Sequence, residues 1–262
     1  MIVSDFMTVD PVTAAPETSI HDALVTMDLH GVRHLPVVSD GQLVGVVSDR
    51  DLLGQAGWSL PAGGDPAAPD ETRVEELMQK DAVTVNPSDA VVAAAVELSI
   101  RGIGCLPVIQ DGKLVGIVSE TDLLRLVSGL KDGPEAVNQS IEAIGAPQAV
   151  TASPTATVRQ LDELMNAKGI RHVPIADGGK VVGIVSDRDM RRAGWHEGRE
   201  QTFADEIMSK GPITIAMSHT VQEAALIMSD RRVSSLVTES ESGAVGIITS
   251  TDLLEFALGA LH

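Results

Sequence analysis

The chain has 262 residues, of which 44% are hydrophobic, and it contains a single cysteine. This length is enough to bury a sizeable core, and one cysteine excludes an internal disulfide framework and a cysteine-rich zinc site. The formal net charge of −18 repels polyphosphate backbones and anionic membrane surfaces, so we expect neither a nucleic-acid nor a membrane partner.

The location of the protein is predicted from what the sequence lacks. No apolar run approaches the roughly 20 residues that a membrane helix needs. The start, Met1–Asp5, lacks the basic and apolar regions of a signal peptide. The histidines show no metal-ligand spacing, so no metal site is predicted. We expect a cytoplasmic protein without a structural metal.

The first predicted unit, over residues 1–55, has the order strand, helix, strand, strand, helix. Apolar residues at helical spacing predict its first helix, and two apolar runs around an Asp-Gly turn predict a hairpin. The predicted elements are a strand ending at Val12-Thr13, a helix from Ser19 to His30, hairpin strands His34–Val38 and Leu43–Val47, and a last helix beginning at Ser48.

The same unit recurs three times along the chain. Residues 31–51 match residues 102–122 and residues 169–189 at 12 of 21 positions each, whereas residues 232–252 keep only the frame. Repeats one and three share Ser-Asp-Arg-Asp, and repeats two and four share Thr-Asp-Leu-Leu, so the chain is a duplicated pair. The predicted boundaries are 1–55, 74–126, 137–192 and 204–262 for the four repeats, with linkers over 56–73, 127–136 and 193–203.

A hydroxyl residue followed three positions later by aspartate ends each hairpin. A hydroxyl at a helix start lies beside unpaired N–H groups and suits a phosphate, and a carboxylate suits the adjacent hydroxyls of a ribose. The same spacing is also a capping box, which stabilises a helix start and binds nothing, and both interpretations stay open. The candidate pairs are Ser48 with Asp51, Ser119 with Asp122, Ser186 with Asp189, and Thr249 with Asp252.

Basic side chains surround this motif only in repeats one and three. In so acidic a chain they are candidate phosphate ligands, although charges at helix ends and surface salt bridges would explain them equally well. Repeats two and four have Gly104-Cys105 and Ser234-Ser235 instead, so we expect weaker phosphate binding there. The basic candidates are Arg33, His34, Arg50, Arg171, His172 and Arg188.

The pattern Gly-hydrophobic-hydrophobic-Ser/Thr-x-x-Asp, preceded by a strand that begins with Pro-Val or Pro-Ile, resembles the CBS (cystathionine-β-synthase) domain family over nearly the whole chain. The resemblance implies an α/β fold of four tandem β-α-β-β-α repeats, paired into two Bateman modules that can form a disc. It also implies that the clefts between paired repeats bind AMP, ADP or ATP, or another adenosyl ligand such as S-adenosylmethionine, NAD or a cyclic dinucleotide. Pro36-Val37 and Pro174-Ile175 would then lie against the adenine, or else be ordinary core.

We therefore expect a non-catalytic regulatory protein that binds an adenine nucleotide and needs no other cofactor. Its output would pass to a protein target in trans, or through a homodimer. A structural interaction module with no bound nucleotide is the main alternative. An enzyme is disfavoured because the sequence lacks a nucleophile–base set, a Walker-type loop and a metal-ligand cluster.

Overall fold

The computed structural model describes residues 1–55, 72–129, 138–144, 148–192, 201–239 and 245–259. Most of the predicted linkers, namely residues 56–71, 130–136 and 193–200, lie outside these ranges. The linker predicted over 127–136 begins later than expected, because residues 127–129 continue the preceding helix and Val127 is buried.

The predicted β-α-β-β-α order is confirmed in a mixed α/β fold. Repeats one and two form β1 (Thr8–Val9), α1 (Ile20–His30), β2 (His34–Ser39), β3 (Gln42–Ser48), α2 (Asp49–Gln55), α3 (Val74–Leu77), α4 (Val91–Arg101), β4 (Cys105–Gln110), β5 (Lys113–Ser119) and α5 (Glu120–Gly129). Repeats three and four form α6 (Val158–Lys168), β6 (His172–Asp177), β7 (Lys180–Ser186), α7 (Asp187–Arg192), α8 (Ala204–Ile207), β8 (Ser209–Lys210), β9 (Thr214–Ala216), α9 (Val221–Arg231), β10 (Ser235–Glu239), β11 (Val245–Thr249) and α10 (Ser250–Gly259). Short 3₁₀ helices, Val3–Asp5 and Ile141–Ile144, lie at the start of repeats one and three.

The long helices begin and end where the sequence predicts. Helix α1 starts after Ser19, whose side chain accepts a hydrogen bond from the Asp22 N–H, as expected of an N-cap serine. It ends at Gly31, which has a left-handed φ of 64° that glycine adopts without strain. In repeat four Arg232 takes this left-handed position, with a φ of 53°.

The hairpins of repeats one, two and three close through tight turns in which both central residues have positive φ. Asp40 and Gly41 have φ values of 50° and 78°, the combination required by a type I′ turn. The predicted Asp-Gly turn is therefore confirmed, and it sets the register in which Ser39 pairs with Gln42 and Val38 with Leu43. A bulge between Val37 and Val38 then shifts the pairing, so that Val37 lies opposite Gly45.

The short first strand that leads into the first long helix is a single parallel bridge in three of the four repeats. In repeat one it is reduced to a single parallel bridge between Ala14 and Val37, whereas repeat four forms the strand β9 beside β10. The reason lies in the middle strand. Pro36 has no N–H to donate, but its counterpart Val237 donates to the Ile213 carbonyl at 3.0 Å and extends the ladder.

The two repeats of each module exchange their N-terminal segments. In the first module β1 of repeat one pairs with β5 of repeat two, and Gln79 at the start of repeat two bridges back to Val46 of repeat one. The second module does the same, since Gln148 bridges to Gly246 and β8 pairs with β7. Each repeat therefore completes the sheet of its partner.

The modules meet in two different ways, which close a ring in the order one, two, four, three. Repeats two and four share one continuous apolar core, in which α5 packs against α9 and α10. Repeats one and three each have a core of their own and meet where α2 packs against α7.

Candidate functional site

All four Ser/Thr-x-x-Asp pairs form capping boxes. In repeat one the Asp51 Oδ2 accepts hydrogen bonds from the Ser48 hydroxyl at 2.6 Å and from the Ser48 N–H at 2.9 Å. The Asp51 N–H donates back to Ser48 Oγ at 3.2 Å. In repeat three the same three bonds join Ser186 and Asp189, at 2.6, 2.8 and 3.2 Å.

Repeats two and four keep the cap but lack the arginine that accompanies it in the other two. Asp122 accepts from the Ser119 hydroxyl at 2.6 Å and from the Ser119 N–H at 2.9 Å. Asp252 accepts from the Thr249 hydroxyl and N–H at 2.7 Å each. The sequence predicted Asp122 and Asp252 as nucleotide ligands, whereas the bonds that the structure shows for them are those of the capping interpretation. A ligand role for Asp122 or Asp252 therefore stays a prediction, and neither enters the site proposed below.

This cap changes what the motif offers to a ligand. The Ser48 hydroxyl already donates to Asp51, and the N–H of Asp49 donates to the Arg33 carbonyl at 3.0 Å, so the helix start has few donors left for a phosphate. Among the described residues no hydrogen bond reaches Asp51 Oδ1. The second carboxylate oxygen is therefore the acceptor that the motif presents, which favours a ribose hydroxyl over a phosphate.

His34 and His172 are neutral side chains rather than the cations that the sequence suggested. Burial is the main cause that lowers the pKa of His34 to about 4, with Asp49 opposing it. The pKa of His172 is lowered as well, again chiefly by burial. At neutral pH each imidazole can donate or accept a hydrogen bond, but neither adds positive charge.

Arg50 and Arg188 are held in ion pairs between repeats one and three. The Arg50 Nη2 lies 3.0 Å from Asp187 Oδ2, and the Arg188 Nε lies 2.7 Å from Asp49 Oδ2. The second contact is an ion pair rather than an aligned hydrogen bond. These two arginines therefore join the modules, as the salt-bridge interpretation predicts.

Arg33 and Arg171 remain as the cations of the predicted set. Within the described ranges neither guanidinium makes an ion pair or a side-chain hydrogen bond. Arg33 is half-buried and Arg171 is exposed. Both lower the pKa of His172, while Asp187 and Asp189 raise it, so the charge of a repeat-one arginine acts on repeat three.

Glu120 is the functional candidate that sequence reasoning missed. It is the first residue of α5 in repeat two, and burial raises the pKa of its carboxyl while Arg33 and Arg171 lower it. The available signal was its position directly after Ser119, where repeats one and three have an aspartate matched by an arginine.

The residues expected to lie against an adenine are buried. Val37 and Ile175 have no exposed surface and belong to the cores of repeats one and three. Pro36 and Pro174 are buried beside them. Their side chains are ordinary core, so a ligand at these strands would contact mainly backbone.

Repeats two and four present different chemistry at the same positions. Cys105 is buried, and burial raises the pKa of its thiol to about 12, so it is an inert thiol at neutral pH. In repeat four Thr238 replaces the core valine, and its buried hydroxyl has no hydrogen-bond partner among the described residues.

A separate cavity of about 330 Å³ lies at the hairpin tips of the first module. It is lined by Gln42, Leu43, Lys80, Asp81, Ala82, Thr84, Ile109 and Gly112. None of the predicted site residues lines it, so we do not assign it to the nucleotide.

Two other features are absent from the described part of the chain. None of its helices combines the length and the apolar character needed to cross a membrane. Its His, Cys, Asp and Glu side chains form no cluster of three or more that could hold a metal ion.

Comparisons with known proteins agree with the repeat structure. A family model described as CBS domain matches residues 3–56, 74–129, 141–196 and 204–259. The uncharacterized protein MJ1225 of Methanocaldococcus jannaschii is 25% identical over 275 residues, covering 94% of each chain. The CBS domain-containing protein YhcV of Bacillus subtilis is 34% identical over 121 residues, covering 46% of this chain and 81% of YhcV.

Solved structures show the same fold over the full length. The crystal structure of MJ1225 superposes with a TM-score of 0.78 at 22% identity, covering 98% of this chain and 99% of that one. An uncharacterized conserved protein from Pyrococcus horikoshii gives a TM-score of 0.64 at 22% identity, covering 98% and 100%. With four family matches spread along its length, this chain belongs to the CBS domain family.

Proposed function

We propose that the protein is a non-catalytic regulator that binds an adenine nucleotide, AMP, ADP or ATP, in the clefts of repeats one and three. The observation that carries the proposal is that Arg33 and Arg171, which have no ion pair among the described residues, both act electrostatically on His172 near the motif of Asp189. The adenosine part rests on the family, whose paired repeats bind adenosyl ligands, and MJ1225 has been described as a candidate archaeal homolog of g-AMPK.

In the proposed cleft the aspartates suit the ribose of a nucleotide and the arginines suit its phosphates. The Oδ1 atoms of Asp51 and Asp189 would accept the hydroxyls of a ribose, because their Oδ2 atoms are engaged in the caps. Arg33 and Arg171 would bind the phosphates, since a guanidinium is the side chain that recognises a phosphate best. The adenine would lie against β2 and β6 at Pro36 and Pro174.

Ligand binding would regulate a partner by changing how the modules sit against each other. Such coupling requires the nucleotide to bind one arrangement more tightly than another. The arginines come from different modules, so a phosphate that binds both would draw repeats one and three together. The output would then pass to a protein in trans or to a second copy of the chain.

The proposal is tested by thermal shift and calorimetry with AMP, ADP, ATP, S-adenosylmethionine, NAD and cyclic di-AMP. A ligand at a hundred times its dissociation constant stabilises the native state by about 2.7 kcal/mol. We expect an adenine nucleotide to produce this shift, and Asp51→Ala and Asp189→Ala to weaken it.

Asp252→Ala is the matched control, because Asp252 makes the same cap in repeat four, where no Arg-His pair is present. It should lower the melting temperature of the free protein, as loss of any cap does, and leave the nucleotide shift unchanged. No shift with any ligand, from protein shown to carry none over from purification, would favour the interaction module instead.

A further inference from the structure

The residue after the motif hydroxyl is held in the same way in every repeat. Its backbone N–H donates to the carbonyl of the residue that precedes the middle strand. The pairs are Asp49 with Arg33 at 3.0 Å, Glu120 with Gly104 at 3.3 Å, Asp187 with Arg171 at 3.0 Å and Ser250 with Ser234 at 3.0 Å. In repeats one and three an aspartate therefore accompanies an arginine. In repeat two the corresponding residue is Gly104, so Glu120 has no arginine at the equivalent position.

Because Gly104 has no side chain, the His34 ring of repeat one can approach the backbone that holds Glu120. A methyl group on Gly104 would lie 2.6 Å from Nε2 of His34, which is closer than side-chain atoms approach one another. The His34 ring therefore packs on the residue whose carbonyl holds the Glu120 backbone. Arg33 precedes His34 in the chain, and its guanidinium acts electrostatically on the Glu120 carboxyl, so this packing places a repeat-one cation in the neighbourhood of the repeat-two carboxylate.

The other two repeats also contribute groups around Glu120. Burial raises the pKa of its carboxyl most strongly, whereas Arg33, Arg171 and a hydrogen bond with Ser250 lower it. Glu255 of α10 raises it further. Ser250 is buried, and α10 packs against α5. The carboxyl thus lies where all four repeats meet.

We propose that Glu120 is a built-in competitor of the ligand's phosphates for Arg33 and Arg171, and that it selects against highly charged nucleotides. This inference rests on the proposed function, in which the same two arginines bind the phosphates. A carboxylate and a phosphate at two shared cations repel each other, and the repulsion grows with the charge on the phosphate chain. Glu120 should therefore weaken ATP binding more than AMP binding.

The test measures the affinities of AMP, ATP and inorganic tripolyphosphate for the full chain by calorimetry. The variant is Glu120→Gln, which removes the charge and keeps the shape. Its matched control is Glu97→Gln, because Glu97 is an exposed acid in the same repeat that pairs with Arg101 on α4. For Glu120→Gln we expect roughly threefold tighter AMP binding and roughly tenfold or more tighter ATP and tripolyphosphate binding, and no change for Glu97→Gln. Raising the NaCl concentration should shrink the difference.

The outcomes separate this inference from the proposed function. If wild type binds a nucleotide through Arg33, shown by weaker binding of Arg33→Ala, and Glu120→Gln leaves every affinity unchanged, then the competitor role is wrong and the nucleotide function stands. If only tripolyphosphate binds, and more tightly to Glu120→Gln, then the role of Glu120 stands and the adenine function is wrong. If neither protein binds any of the three anions, both proposals fall.

Discussion

The two contacts between the modules differ in kind. Repeats two and four meet through an apolar core that runs without interruption from one to the other. Repeats one and three meet through the reciprocal ion pairs Arg50–Asp187 and Arg188–Asp49. The comparison indicates that one half of the ring is joined by an apolar core and the other half by ion pairs.

The sequence of the second helix in each repeat explains the difference. Helices α5 and α10 each span ten residues and bury apolar side chains in their last turns, including Val127 and Leu258. Helices α2 and α7 instead begin with Asp-Arg-Asp, and the arginine of each pairs with an aspartate of the other. Charge therefore takes a larger share of this contact.

The first helices reinforce the contrast. Helix α4 has Ala95 and α9 has Ala225, both almost fully buried, and such small residues let helices approach closely. At the same position α1 has Leu24 and α6 has Asp162. An aspartate on the face that would meet the other module disfavours an apolar joint between repeats one and three.

The largest expected effect comes from placing a charge in the apolar joint. Val127→Asp should lower the free energy of unfolding by more than about 3 kcal/mol, because a carboxylate would be buried without a partner. Urea unfolding followed by circular dichroism measures it. Val25→Asp on α1 is the control, since Val25 is 47% exposed, and its effect should stay within about 0.5 kcal/mol. Equal effects at both sites would contradict the scaffold role of this joint.

Acid should destabilise the polar half through His34. Its pKa is about 4 in the folded chain against 6.5 when unperturbed, so the folded state disfavours the protonated ring. The stabilisation is fully present above pH 6.5 and is lost as the pH falls toward 4, by up to about 3 kcal/mol.

The measurement compares urea unfolding of wild type and His34→Gln at pH 7, 6, 5 and 4.5. The difference between the two proteins removes the contribution of the carboxylates that titrate in the same range. We expect the wild type to lose more stability than the variant as the pH falls. Parallel pH profiles would show that His34 is not the group responsible.

Removing one cation from the polar joint should have an intermediate effect. Arg188→Ala leaves Asp49, whose side chain is 15% exposed, without its ion-pair partner, at a cost of about 1–3 kcal/mol. Arg101→Ala removes an exposed pair within one helix and should cost no more than about 0.5 kcal/mol. Thermal unfolding in low and high salt measures the stability that each substitution costs. If Arg188→Ala cost no more stability than Arg101→Ala, the ion pairs would not hold repeats one and three together.

The smallest effect concerns repeat four. Thr238→Val should stabilise the protein by about 1 kcal/mol, because the buried hydroxyl has no partner among the described residues and the other repeats have valine or isoleucine there. Val37→Thr is the reverse substitution in repeat one and should destabilise by a similar amount. A destabilised Thr238→Val would indicate that the hydroxyl has a role in the native state.

Local features were predictable from the sequence because they depend on neighbouring residues. The helix that begins after Ser19, the Asp40-Gly41 turn and the four capping boxes all follow from residues within four positions of each other. The reduction of the first strand to a single bridge in repeat one was also predictable, because Pro36 lacks the N–H that a longer ladder needs.

Features that depend on residues from different repeats were not predictable in this way. The exchange of N-terminal segments, the action of Arg33 and Arg171 on the pKa of Glu120, and the burial that lowers the pKa of His34 arise from distant parts of the chain. The hydrogen bonds of the caps also needed coordinates, because the sequence does not show that Asp51 and Asp122 each use Oδ2 for the cap; the ligand roles of both stay predictions.

Hydrogen exchange of the full chain, with and without AMP, tests the central claim most directly. We predict that the amides of α2 and α7 exchange faster than those of α5 and α10 in the free protein, and that AMP slows α2 and α7 while leaving α5 and α10 unchanged. Equal exchange in the two halves, or protection by AMP confined to α5 and α10, would contradict a nucleotide-binding polar half built on an apolar scaffold.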